Sequence, residues 1–159
     1  MAHEDSGRLA EADLRAWQAL RQMSRHLDAQ LARELAETGD LSMQDYDVLS
    51  AVAPAEGRRL PAKRLMLHLQ WSYSRLSHHL GRMEKRRLVT RCPSDTGKGV
   101  DVVATVTGYQ ALRAATGAHL RAVRRLFADR LLPGDAAVIE ALGDRVLSGL
   151  PGPTPTRGW

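Results

Sequence analysis

The chain has 159 residues, 43% hydrophobic and 26% charged, with 23 Lys/Arg against 18 Asp/Glu. That length supports a real core in one domain or two small lobes, and no apolar run approaches a membrane span. The polar start Met1-Ala2-His3-Glu4-Asp5-Ser6 lacks a signal-peptide layout, so a cytoplasmic protein is expected, and the single Cys92 excludes an intrachain disulfide or a cysteine-based zinc site.

From Leu9 to Leu35 apolar residues recur at helical spacing, with Trp17, Leu20, Leu27 and Leu31 on or near one stripe, which predicts a long amphipathic helix. Thr38-Gly39-Asp40 stops it. Ser42-Met43-Gln44-Asp45 resembles a capping box and starts a second helix to about Ala53. After the turn Pro54-Ala55-Glu56-Gly57, Pro61 suits the first position of a short third helix ending near His68, because its missing N–H has no partner there.

Charge changes abruptly at this point. Residues 1–57 carry five Lys/Arg and eleven Asp/Glu, whereas residues 58–98 carry eleven and two, the acids being Glu84 and Asp95. A solvated helix surface is the plain reading of such a run; a face that meets phosphate is the other. Ser72 can cap a fourth helix with Leu76, Leu80 and Met83 inward and Ser74, Arg75, His78, His79 and Arg82 outward. Two helices joined by a turn of about three residues form a helix-turn-helix, the second carrying the polar readers. Leu88 to Cys92 and Val100 to Ala104 then read as strands around Ser94-Asp95-Thr96-Gly97-Lys98-Gly99, a basic hairpin or wing.

Thr105 or Thr107 opens a fifth helix, with Leu112, Leu120, Val123, Leu126, Phe127 and Leu131 toward a core. Pro133-Gly134-Asp135 starts a sixth helix through Val138, Ile139, Leu142, Val146 and Leu150, and the Pro- and Gly-rich residues 151–159 read as a disordered tail. Apolar helices at both ends need cover, so a homodimer is expected, with two reading helices about one DNA turn, roughly 34 Å, apart on an inverted repeat.

Leu41 to Leu49, Leu69 to Leu80 and Arg82 to Val89 together resemble the MarR family of bacterial winged helix-turn-helix transcription regulators, in element order over about Leu14 to Leu150. The resemblance implies a mostly α fold with a small β-hairpin wing, with residues 1–37 and 106–150 as dimerisation helices around a DNA-binding lobe at 38–105. It also implies a recognition helix in the major groove and wings in the flanking minor groove. Two positions depart from the family pattern. Arg87 stands where a Gly usually precedes the Leu-Val of the wing, so either the helix cap differs or strain is tolerated; Lys98 stands near the usual wing-tip Arg and lacks its fork of donors.

Arg75 and Arg82 are the first candidates for base or phosphate contact, against a surface ion pair as the alternative. Ser72, Ser74 and Ser77 lie near the helix start and can bond phosphate, although Ser72 serves equally as a cap. Tyr73 can touch a phosphate or thymine methyl, or pack on the turn. His78 and His79 point about 100° apart, which disfavours a shared metal and suits donors to DNA. Lys63, Arg64, Arg86, Arg87 and Arg91 read as backbone clamps, with Lys98 at the wing. The resemblance further implies a small aromatic or phenolic effector near Trp17, Arg21, Met43 and Tyr46, of which Trp17 and Tyr46 read more safely as core.

These residues predict a dimeric, sequence-specific DNA-binding regulator with double-stranded DNA as partner and no cofactor; a dimer seated on a palindromic operator excludes polymerase, so repression is the expected sign. A nonspecific architectural protein is the alternative, separable by competitor DNA. Cys92 beside Arg91 and Lys98 raises an oxidation switch, but it has no resolving cysteine and reads first as a bystander. No nucleophile–base set, phosphate loop or metal motif suggests an enzyme.

Overall fold

Helix α1 occupies Glu11–Thr38, and only its C-terminal end is well covered: Leu35 is buried, whereas Leu14, Trp17, Leu20 and Met23 face outward. Leu9 precedes the helix and is exposed. The computed structural model describes residues 9–151 apart from position 96. Of the expected disordered tail, positions 152–159 lie outside the described residues.

The capping box forms as expected. Asp45 N–H donates to Ser42 Oγ at 3.1 Å and Ser42 N–H donates to Asp45 Oδ2 at 2.9 Å, starting α2 at Met43–Val52. Its Val48, Leu49 and Val52 are completely buried and form the centre of the winged lobe with Leu65, Leu76, Leu80 and Met83. A short 3-10 turn at Glu56–Arg58 holds both Gly57 and Arg58 in left-handed backbone and reverses the chain into β1, Arg59–Pro61. Helix α3 follows at Ala62–Leu69, with Pro61 as its N-cap, one place outside the expected position.

Gln70, left-handed at φ 54°, turns the chain after α3, and Trp71 N–H closes on Met66 O at 3.1 Å. Helix α4 runs Tyr73–Lys85, its start capped by Ser72 Oγ, which accepts from Arg75 N–H at 3.3 Å. Its end is a Schellman motif: Leu88 N–H reaches Met83 O and Arg87 N–H reaches Glu84 O, both at 2.9 Å, with Met83 and Leu88 buried together. Arg87 sits at φ 60° in the place that favours glycine, so the cap geometry is kept and the strain is carried.

Strands β2, Val89–Pro93, and β3, Val100–Ala104, form the wing, and β1 adds to the other side of β3, all antiparallel in the order β1-β3-β2. Strand β1 is an addition to the two strands expected from the sequence. Three residues ending in proline carry no alternation of their own, and the proline is tolerated because the strand is an edge.

Thr105 caps α5, Val106–Leu126, accepting from Gly108 N–H at 2.9 Å while its own hydroxyl donates to Arg87 O at 2.6 Å. Gly108 has a steric role, since a Cβ there would overlap the Leu88 carbonyl. Within α5, Leu112 and Ala115 are buried, but Leu120 is 58% exposed and Val123, Leu126 and Phe127 are half-buried, so the expected inward stripe holds only for the first half. A 3-10 turn at Ala128–Arg130 leads to α6, Asp135–Ser148, which buries none of its residues against the rest of the chain.

Candidate functional site

Helices α3 and α4 present one basic, polar face. Tyr73 is 73% exposed at the start of α4, and Ser74, Arg75, His78 and Arg82 are exposed along it, with Ser77 half-buried. Lys63 and Arg64 are exposed on α3. Arg75 lies 4.3 Å over the Trp71 ring, a cation–π contact that supports the guanidinium without neutralising it. Among the described residues neither Arg75 nor Arg82 is in an ion pair, because Glu84 is taken by Arg91: the Arg91 guanidinium donates to Glu84 Oε2 at 2.6 Å and holds that carboxyl below its usual range.

Three expected surface residues have internal duties. His79 is 5% exposed and packs edge-on against Trp71, so it is not available as an outward donor. Arg82 donates to His79 Nδ1 at 2.8 Å; a guanidinium has no acceptor, so Nδ1 is unprotonated and the ring proton sits on Nε2, 3.0 Å from Asp45 Oδ1 in an off-line contact. Arg86, read from sequence as a clamp, instead donates to Asp45 Oδ2 at 2.7 Å and to the Asp40 carbonyl. Arg91 braces β2 on α4 through Glu84. Burial alone would raise the Asp45 carboxyl, but His79, Arg86 and the Ser42 cap together hold it far below the usual carboxylate range. Asp45 therefore fastens the reading helix to α2.

The wing is braced by a residue the sequence reading passed over. Arg59 donates from Nε to Asp101 Oδ2 at 2.6 Å and to the Pro93 carbonyl at 2.8 Å, and lies 3.0 Å from Asp95. Asp101 is 5% exposed inside the sheet, and its pairing with β1 is the signal that only the fold supplies. Lys98 is exposed beside Gly97 and Gly99, both left-handed at the turn. Cys92 is half-buried with Sγ 3.9 Å from the Asp101 carbonyl, while Arg91 is committed to Glu84.

A cavity of about 1120 Å³ opens between α1, α2 and α5. Met43 and Tyr46 line it as expected; Trp17 and Arg21 do not. Trp17 is 54% exposed farther up α1, with Arg21 stacked on it at 5.6 Å. Asp28, Asp47, Tyr109 and His119 are lining residues absent from the sequence reading. They come from three helices distant in sequence, so periodicity carried no signal for them. The Tyr46 and His119 rings are 4.6 Å apart, and burial pushes the His119 imidazole down, leaving it neutral near pH 7.

No protein-family model matches the chain, and a search of curated proteins finds no match. Solved structures do match. AbsC, a MarR family transcriptional regulator from Streptomyces coelicolor, is 30% identical, with a TM-score of 0.84 over 90% of this chain and 97% of its own. The chain belongs to the MarR family. A second MarR family regulator from Streptomyces coelicolor, in complex with DNA, is 27% identical with a TM-score of 0.86, covering 98% of this chain and 99% of its own. A mutant MarR from E. coli complexed with operator DNA is 19% identical with a TM-score of 0.74, over 89% and 97% of the two chains, a likeness of fold alone.

This MarR-family chain thus keeps the winged helix-turn-helix while filling two usual positions differently. Arg87 accepts a left-handed cap without glycine, and Lys98 offers a point charge at the wing tip in place of a planar fork. No helix among the described residues is long and apolar enough to cross a membrane, and no group of His, Cys, Asp or Glu among them is placed to hold a metal ion.

Proposed function

We propose that this protein is a dimeric, sequence-specific DNA-binding transcription regulator that represses from an inverted-repeat operator and is relieved by a small aromatic or phenolic effector. The observation that carries the reading is the exposed face of α4, where, among the described residues, neither Arg75 nor Arg82 is in an ion pair, beside Tyr73, Ser74 and His78. An α-helix fits the major groove, and Arg is the common bidentate partner of guanine. Lys63, Arg64 and Arg87 flank that face as phosphate contacts, and Lys98 extends it toward the minor groove. The DNA complex of the 27%-identical relative supports the same use of the fold.

Dimerisation is supported by the uncovered apolar side chains. Val138, Ile139, Leu142 and Val146 on α6, with Leu14, Trp17, Leu20 and Met23 on α1, remain exposed in one copy. A second copy covers them through a two-fold interface, and the two α4 helices then meet successive major grooves. Residues 1–37 and 106–150 serve this interface, and 38–105 the DNA. Helix α2 links the effector to DNA, because Tyr46 and Asp47 face the cavity while Asp45 holds α4. A ligand that shifts α2 changes the spacing of the reading helices.

Selection of sites from random duplexes at stated salt, comparing wild type with Arg75→Ala, tests the reading. An inverted repeat enriched by wild type and relaxed in the variant is the expected result. Affinity governed by salt alone, with no enriched sequence, overturns it in favour of an architectural protein.

A further inference from the structure

The cavity walls carry an unbalanced charge. Among the described residues its lining includes two carboxylates, Asp28 from α1 and Asp47 from α2, and neither Lys nor Arg. Arg58 stands outside the lining, stacked on Tyr109 with its guanidinium carbon 4.0 Å from the ring centroid. His119, the lining histidine, is neutral near pH 7, and its Nδ1 is buried without a partner among the described residues. The volume, about 1120 Å³, lies just above the usual range of small-molecule sites, and the Tyr46 and His119 rings supply an aromatic wall.

We infer that this cavity selects an aromatic amine, its ammonium held by Asp47 and Asp28 and its ring placed against Tyr46 and His119, and that aromatic carboxylates are excluded. The inference rests on the effector reading above and adds the ligand's charge to it. Three observations point the same way. Burial, and then the Asp28 charge, push the Asp47 carboxyl up, so its anion lacks compensation on the cavity side. The groups that draw it back down, His68 on α3 and Arg75 and His79 on α4, belong to the winged lobe and not to the cavity lining. A cation between the two aspartates relieves both the desolvation and the mutual repulsion, whereas a carboxylate there adds a third negative charge to a partly dry site. An ammonium can also donate to the orphaned His119 nitrogen when that atom is the ring's acceptor.

The test uses the full chain and three probes of one ring system: tryptamine, its carboxylate counterpart indolepropionate, and neutral skatole. Calorimetry should give tryptamine affinity about tenfold above skatole, the scale of one charge-assisted hydrogen bond, with indolepropionate weakest. Asp47→Asn should remove the tryptamine advantage and leave skatole binding unchanged, and Asp28→Asn, at an exposed α1 position, should reduce it severalfold; circular dichroism verifies that both variants fold. Equal or tighter binding of indolepropionate, an unaltered tryptamine affinity in both variants, or no binding by any probe each overturns the inference. Indolepropionate binding tightest and releasing DNA would leave the effector reading standing and remove only the amine. Absent binding with site selection intact would remove the cavity as a site while leaving the DNA reading.

Discussion

Asp45→Ala is expected to destabilise the winged lobe by about 3 kcal/mol. The carboxylate is 1% exposed and serves three groups at once: the Ser42 N–H at 2.9 Å, Arg86 at 2.7 Å and His79 at 3.0 Å. Removing one member of a buried charge pair costs about 3–5 kcal/mol, and losing a helix cap about 1 kcal/mol. The Arg86 side chain is 41% exposed, so water recovers part of its charge and brings the sum toward the lower end. Urea melts at pH 7 measure the loss directly; with a slope of about 1–3 kcal/mol per molar, the midpoint should fall by about 1–3 M. Acid separates the charge from the packing. The folded carboxyl is held well below the unfolded value of about 3.9, so its contribution is complete above that value and disappears as pH falls through the folded pKa. Asp45→Asn should therefore lie below wild type at pH 7 and approach it in acid. A loss under about 1 kcal/mol at pH 7, or parallel profiles for the two proteins below pH 4, would refute the role of Asp45 as the fastening between α2 and α4.

Gly108→Ala should abolish folding or cost more than about 3 kcal/mol, because the new Cβ overlaps the Leu88 backbone and neither the wing nor α5 can yield; thermal melts check it. Arg87→Gly relieves a left-handed residue and should stabilise by about 1 kcal/mol in the same melts, while lowering DNA affinity if the side chain clamps phosphate. Ile139→Asp, on the exposed stripe of α6, should convert a dimer into monomers in sedimentation velocity and cost DNA affinity without unfolding the winged lobe. Arg59→Ala removes three wing contacts but no reading residue, so affinity should fall for all sequences alike, with sequence preference retained in competition assays.

Elements whose signal is local were legible in the chain itself. The helical period located α1, α2, α4 and α5, the Ser42–Asp45 spacing fixed a cap that depends on four consecutive residues, and two glycines marked the wing turn. The basic character of the α4 face was legible for the same reason, since Ser74, Arg75, His78 and Arg82 share one side of a helix whose other side is Leu76, Leu80 and Met83. Partners remote in sequence decided the rest. His79 lies at the border of that wheel, and it turns inward because Asp45, 34 positions earlier, presents a buried carboxylate to it. Strand β1 exists only as the edge partner of β3, and Arg59 has a role only once Asp101 is beside it. Trp17 and Tyr46 were equal candidates for the cavity by residue type, yet only Tyr46 stands where α1, α2 and α5 converge. Periodicity reports which side of an element is apolar, a property of neighbours along the chain; which charge faces a cavity depends on the packing of elements far apart in sequence, and only the tertiary structure carries that.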